Sequence, residues 1–222
     1  MVSEAHPAPR FFVLENDPDS SHDTTFTSVE SKSGEAPSCA QCGTFVGLRE
    51  WLPPLRGTMR LYGQEFGDLV SGPGAGFLVS ARFVESFQEE RLTGIPRFQP
   101  VEIVRRVQRP RRAAPPAYFY MRPLFGGAAV NESASRIRRL RPIQCDGCRS
   151  GGVNAIHGIS LEEGSWTGSD IFFARGLPGT AIVSERFARA VHHHGLTNIR
   201  LTPTETYVRD PLELGPVPRP EA

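Results

Sequence analysis

The stretch FLVSARF at residues 77–83 is followed 104 positions later by AIVSERF at residues 181–187. Each stretch combines an apolar triplet, a serine and an Arg-Phe pair. Twelve residues after the serine, both copies read Leu-Thr. Similarity at a fixed spacing of this length predicts an internal duplication.

Each copy has the pattern of a strand followed by a helix. The apolar triplet before the serine is typical of a short buried strand. Ser80 and Ser184 then stand where a hydroxyl can accept a hydrogen bond from the first turn of a helix. Gly94 and Gly195 are expected to mark the helix ends. An extended, isoleucine-containing segment follows each glycine, so the sequence predicts a strand-helix-strand unit that occurs twice.

The predicted fold class is α+β and strand-rich, with two pseudo-repeated halves. The first half is expected to cover residues 1–108 and the second half residues 117–210. Residues 109–116 are rich in Arg and Pro, which hold neither a helix nor a central strand, and are predicted to be the linker. Residues 211–222 contain four prolines and are expected to form a flexible tail.

Shorter patterns predict the remaining elements. Strands are expected at 11–14, 59–62 and 117–121, which are apolar or aromatic runs. Residues 15–38 are rich in Asp, Ser, Thr and Glu and are predicted to be mainly loop, with one short strand at 24–29. The glycine-rich residues 72–76 lack the Lys-Ser/Thr of a phosphate-binding loop and are expected to form a hairpin turn.

Four cysteines stand in two Cys-x-x-Cys motifs, Cys39 with Cys42 and Cys145 with Cys148. Two intervening residues let a tight turn direct both sulfurs at one ion. The first cysteines of the motifs are 106 positions apart, so each half carries one motif. Tetrahedral Zn²⁺ takes four ligands, and two motifs supply that number with no cysteine left over. The spacing predicts one structural Cys₄ zinc site that clamps the halves together.

Other interpretations of the cysteines remain open. A redox dithiol would require a motif at a helix N-terminus after a strand, and neither motif has that context. Two short-range disulfides or four ordinary thiols are compatible with the spacing. The second motif also departs from the first, because Arg149 stands where Gly43 follows the first motif. This substitution leaves open whether the second motif holds metal.

The composition and the remaining polar residues indicate a protein without catalysis. The chain has 222 residues, of which 42 are Gly or Pro, and no run of 18 apolar residues. With no pattern of a secretory signal, we expect a soluble cytoplasmic protein with no membrane partner.

His192, His193 and His194 are consecutive, and adjacent helical residues point about 100° apart. The three are therefore expected to form a solvated helix end. No carboxylate pair suggests an acid and a base.

Positive charge is concentrated in the middle of the chain. Eleven arginines and only two acidic residues lie between Arg97 and Arg141, although the whole chain has a net charge of +1. This region could form an electropositive surface for nucleic acid or for an acidic partner. A solvated face, paired with acidic residues from the rest of the chain, explains the pattern equally well.

The two cysteine motifs, about a hundred residues apart, resemble the myxobacterial double-CXXCG motif family. Cys39, Cys42 and Gly43 fit the family pattern fully, and Cys145 and Cys148 fit it without the final glycine. The resemblance covers roughly residues 11–207. The family includes immunity proteins against swarm-inhibition lipoprotein toxins that are exchanged between kin cells.

The resemblance implies that the protein neutralises a cognate toxin by binding its C-terminal domain, without catalysis. The alternative function is a zinc-containing nucleic-acid-binding regulator that uses the Arg-rich residues 97–141. Steep salt dependence would mark the second function, because arginine contacts to phosphate release counterions.

Overall fold

The computed structural model describes residues 10–107 and 114–217. Within them the chain forms fourteen strands and two α-helices, which confirms the strand-rich α+β class. The helices are α1 (Ala81–Glu89) and α2 (Glu185–His193). The strands are β1 (Phe11–Asn16), β2 (Thr24–Ser33), β3 (Trp51–Leu61), β4 (Leu69–Ser71), β5 (Phe77–Ser80), β6 (Gln99–Val107), β7 (Tyr118–Met121), β8 (Leu124–Ala129), β9 (Ile137–Arg138), β10 (Ala155–His157), β11 (Ile171–Arg175), β12 (Ala181–Ser184), β13 (Ile199–Pro203) and β14 (Val208–Arg209).

The strands form three sheets. A six-stranded sheet has the order β2-β3-β6-β7-β5-β4, and a five-stranded sheet has the order β13-β1-β12-β11-β8. A small third sheet contains β14, β10 and β9. Most neighbours are antiparallel, but β3 with β6 and β8 with β11 run parallel.

The two large sheets exchange strands between the halves of the sequence. β1 lies between β12 and β13, and β7 lies between β5 and β6. The registers correspond, because Phe12 stands opposite Val183 just as Phe119 stands opposite Val79. Neither half of the sequence therefore completes its large sheet alone.

The helix starts confirm the predicted caps. The Phe83 N–H donates a hydrogen bond to the Ser80 hydroxyl at 3.1 Å, and the Phe187 N–H donates to the Ser184 hydroxyl at 3.2 Å. Each serine ends a strand and begins a helix, so the strand and the helix of one unit are joined without a loop. This tight joint fixes the direction in which each helix leaves its sheet.

The prediction that Gly94 ends the first helix is wrong. α1 ends at Glu89, and Arg91 takes the left-handed conformation with φ +50°, as Gly195 does after α2 with φ +58°. Gly94 instead lies against β11, where a Cβ would come within 1.9 Å of the Ile171 carbonyl oxygen. The glycine is needed for this close approach of backbones rather than for the helix end.

The segment predicted as mainly loop contains a long strand. β2 extends over ten residues, Thr24–Ser33, and pairs antiparallel with β3. Strands are confirmed at the other predicted positions, within β1, β3 and β7, and residues 72–76 form the turn of the β4-β5 hairpin. Within the described residues, no helix is long and apolar enough to cross a membrane.

The predicted boundaries fall partly outside the described residues. Residues 109–113 of the predicted linker lie outside them, and residues 114–116 form no helix or strand. Of the predicted tail, residues 218–222 also lie outside. In the described part, the Asp210 carboxylate accepts hydrogen bonds from the N–H groups of Leu214 and Gly215.

The largest core lies between the helices and both large sheets. It contains apolar residues of α1 and α2 together with residues of β1, β4, β5, β7, β11 and β12. Phe83 and Phe187 meet at its centre with ring centroids 6.1 Å apart. Since both sheets contribute to one core, burying the helices holds the halves together.

Candidate metal centre

The four cysteines, predicted as one site, do lie together. The sulfur of Cys39 is 3.9 Å from that of Cys145, and the sulfur of Cys42 is 3.8 Å from that of Cys148. All four sulfurs lie within 4.8 Å of one another. Four thiolates around Zn²⁺ at about 2.3 Å would place neighbouring sulfurs about 3.8 Å apart. The cluster therefore has the size of a tetrahedral metal site.

The two motifs make the same turn. The Gly43 N–H donates to the Cys39 carbonyl at 2.8 Å, and the Arg149 N–H donates to the Cys145 carbonyl at 2.8 Å. Gly43 has φ +72° and Arg149 has φ +53°, so the arginine adopts the left-handed conformation that usually favours glycine. The second motif thus keeps its geometry despite the lost glycine.

The Arg149 side chain is bound to the body of the protein. Its guanidinium donates to the Val130 carbonyl at 2.9 Å and pairs with the Glu162 carboxylate at 2.6 Å. Behind it, the Gly176 N–H donates to the Cys148 carbonyl at 2.8 Å. These contacts attach the second motif to the loops that surround β8 and β11.

The sulfurs differ in environment. Cys42 is exposed, and hydrogen bonds from the Thr44 hydroxyl and N–H lower its pKa to about 6. Cys148 is buried, and this burial raises its pKa. A bound cation deprotonates coordinating thiols, so it would let the buried thiol ionise beside the exposed one.

This donor set fits a structural metal ion better than the alternatives. Four protein ligands close the coordination sphere and leave no position for a substrate. All four cysteines are free thiols, and the sulfur separations are far from the bonded distance of about 2.05 Å. Neither motif begins α1 or α2, as a redox dithiol would require. The geometry shows that the site could hold a metal, and the identity of the metal remains a prediction.

The histidine run 192–194 is only partly the solvated helix end that the sequence predicts. His192 is exposed on α2, but ring nitrogens of His193 and His194 lie within 4.8 Å of each other and of the Glu90 carboxylate. Glu90 stands 104 positions before His194, at the corresponding position of the first copy, and a carboxylate oxygen of Glu90 lies 3.1 Å from the Nε2 atom of His194. The correspondence is visible in the sequence, but the contact between the two side chains is not.

The arginines between Arg97 and Arg141 do not act as one set. Arg97 pairs with Glu50 and Arg139 pairs with Glu132. Others are exposed at the end of β6, namely Arg105 and Arg106. Arg109, Arg111 and Arg112 lie outside the described residues.

Comparison with known proteins gives no assignment: the sequence matches no model of a known family, and it matches no curated protein.

Proposed function

We propose that this chain is a non-catalytic immunity protein that binds and neutralises a cognate toxin domain in the cytoplasm. One observation carries the proposal. The two cysteine motifs that give the resemblance to the double-CXXCG family meet as one complete ligand set, with sulfurs 3.8 and 3.9 Å apart across the halves. The shared motif thus corresponds to a physical unit, in which Cys39, Cys42, Cys145 and Cys148 would bind one structural Zn²⁺.

An internal duplication would explain the arrangement of this unit. The register of β1 on β12 matches that of β7 on β5, and the cysteines pair with their counterparts 106 positions away. Phe83 and Phe187, 104 positions apart, also contact each other. Corresponding residues of the two halves therefore contact each other at the cysteines and in the core, which supports an origin from two copies.

The segment after the first motif offers a surface for the toxin. Phe45 and Leu48 are 68% and 60% exposed, while Val46 between them is buried and fixes the loop. Together with Phe77 and Tyr207 they line an open groove of about 670 Å³. Exposed aromatic and aliphatic side chains beside a groove are typical of the centre of a protein interface.

The test is capture of the toxin domain encoded beside this gene. The purified full-length protein should form a stoichiometric complex with that domain, and co-expression should restore growth of cells that produce the toxin. Phe45→Asp and Leu48→Asp should weaken the complex, whereas Leu212→Asp, which changes an equally exposed leucine away from the groove, should not. Unchanged toxicity with every neighbouring toxin would disprove the proposal.

A nucleic-acid-binding regulator is the second candidate. The observation in its favour is the pairing of β3 with β6, which brings Arg60 opposite Val107, next to the exposed Arg105 and Arg106. A salt titration separates the candidates. Binding through arginine-phosphate contacts should weaken steeply as salt rises, and a specific toxin complex should persist.

A further inference from the structure

The C-terminal ends of α1 and α2 meet beside each other. Glu90 is the C-cap residue of α1, and His194 is the C-cap residue of α2. The Nε2 atom of His194 lies 3.1 Å from a carboxylate oxygen of Glu90. The His193 ring packs edge-on against the His194 ring, with centroids 4.8 Å apart. Three potential ligand atoms therefore lie within 4.8 Å of one another.

We propose that Glu90, His193 and His194 form a second metal site, which binds a divalent transition metal such as Zn²⁺. Two imidazoles with one glutamate are a known donor set for zinc, with the fourth position left to water. Ligand atoms around tetrahedral zinc at about 2.0–2.1 Å stand about 3.3–3.4 Å apart. The Glu90-His194 separation of 3.1 Å is already close to this value. His193 is exposed, so its ring is free to move closer to the ion.

The electrostatic surroundings favour a cation. Helix C-termini carry partial negative charge, and a glutamate at such an end adds to it. Two guanidinium groups also reach these ends, since Arg82 donates to the His194 and Gly195 carbonyls and Arg186 donates to the Glu90 and Arg91 carbonyls. Each of these arginines pairs with a buried aspartate of its own half, which offsets its charge.

The site does not use the whole histidine run. His192 lies one residue earlier on α2, is exposed and is not part of the cluster. This agrees with the geometric argument that three consecutive helical residues cannot converge on one ion. The ion would replace the Glu90-His194 hydrogen bond and link the two helix ends, at a place separate from the four cysteines.

Zinc titration of the full-length protein tests the inference. Protein whose cysteines already hold one metal equivalent should bind a second equivalent. With Co²⁺, the first equivalent should show the intense sulfur-to-metal absorption of thiolate ligands, and the second should add only weak ligand-field bands. His193→Ala and Glu90→Gln should each lower the affinity for the second metal ion by roughly tenfold or more. The matched control His192→Ala should leave this affinity unchanged.

Two outcomes would overturn the inference. The first is a wild-type protein that takes up no second metal equivalent. The second is an affinity for the second metal ion that falls as much in His192→Ala as in His193→Ala, which would indicate unspecific binding by the histidine run. His193 is exposed, so its alanine variant should keep the wild-type melting temperature without added zinc. Neither outcome would argue against the cysteine site or the immunity function. The first metal equivalent tests the cysteine site, and toxin capture tests the immunity function.

Discussion

Asp68 and Thr197 join the two halves across 129 positions of sequence. The Asp68 carboxylate accepts hydrogen bonds from the Thr197 N–H at 2.8 Å and from its hydroxyl at 2.9 Å. The same contact occurs in the opposite sense, since the Asp170 carboxylate accepts from the Thr93 N–H at 3.0 Å and its hydroxyl at 3.1 Å. Each aspartate thus binds the segment that follows the helix of the other half.

Asp68→Asn should destabilise the protein by about 2–4 kcal/mol. The buried carboxylate also accepts from the Ser80 hydroxyl and from Arg82, and an amide places an NH₂ group where a donor now points. Urea unfolding would measure the change. Asp19→Asn is the matched control, because Asp19 is 84% exposed and solvent screens its ion pair with Arg200, so this substitution should change the free energy of unfolding much less. Equal effects of the two substitutions would contradict the role of Asp68.

Acid should destabilise the protein through the same carboxylate. Burial raises the pKa of Asp68, but hydrogen bonds from Arg82, Ser80 and Thr197 outweigh this effect and hold its pKa below the ordinary value. The unfolded chain then binds this proton more readily than the folded protein does. The stabilisation is complete above the unfolded pKa of about 3.9 and is lost as the pH falls through the folded pKa.

Unfolding free energies measured from pH 7 down to pH 2 would show this loss. The Asp68→Asn variant, already less stable at pH 7, should lose less stability than the wild type below pH 4. An identical loss in both proteins would assign the acid sensitivity to other carboxylates.

Removing one thiol should release the metal. Cys145→Ser should lower the bound metal by one equivalent per chain relative to the wild type, as measured by elemental analysis, and a chelator should strip metal from the same cysteines. Each kcal/mol of stabilisation lost with the metal should lower the melting temperature by about 2–4 °C for a chain of this size. Arg149→Gly is the control and should retain the metal, because the position already has a glycine-like φ of +53°. A wild-type protein that binds no metal and has four freely titratable thiols would contradict the site.

Arg91→Gly should stabilise the protein by about 0.5–1 kcal/mol. Arg91 holds a positive φ of +50° at the end of α1, a conformation that glycine adopts without the steric cost of a Cβ. Gly195→Ala, at the equivalent position after α2, should destabilise by about 1 kcal/mol. Opposite signs in chemical denaturation would confirm that the two helix ends are equivalent, and a destabilised Arg91→Gly would show that its side chain matters more than its backbone.

Local chemistry made some features predictable and long-range pairing hid others. Ser80 and Ser184 were predictable as caps because a cap depends on the next three residues. The cysteine cluster followed from the number of ligands that zinc takes. The end of α1 was missed because Arg91 carries no sequence signal for a positive φ. The sequence of β2 predicts mainly loop because its Ser, Thr and Glu residues give it little apolar alternation.

The exchange of strands between the two halves could not be predicted from the sequence for a different reason. The apolar pattern of β1 shows that it is buried on one face, but it does not specify the neighbouring strand. That neighbour, β12, lies about 170 residues away. The meeting of Glu90 with His194 was hidden in the same way, since it requires knowing that two helix ends converge.

The position of β1 between β12 and β13 also determines the order in which the protein can fold. On the ribosome, β1 emerges well before either neighbour and must remain unpaired until almost all of the described chain has been made. Contacts of such high sequence separation slow folding. An apolar strand that stays unpaired during this time can aggregate with other chains. The six-stranded sheet needs residues only up to 121 and can assemble much earlier. Synthesis therefore favours a sequence of events in which β1, the first strand of the described residues, is among the last strands to be incorporated.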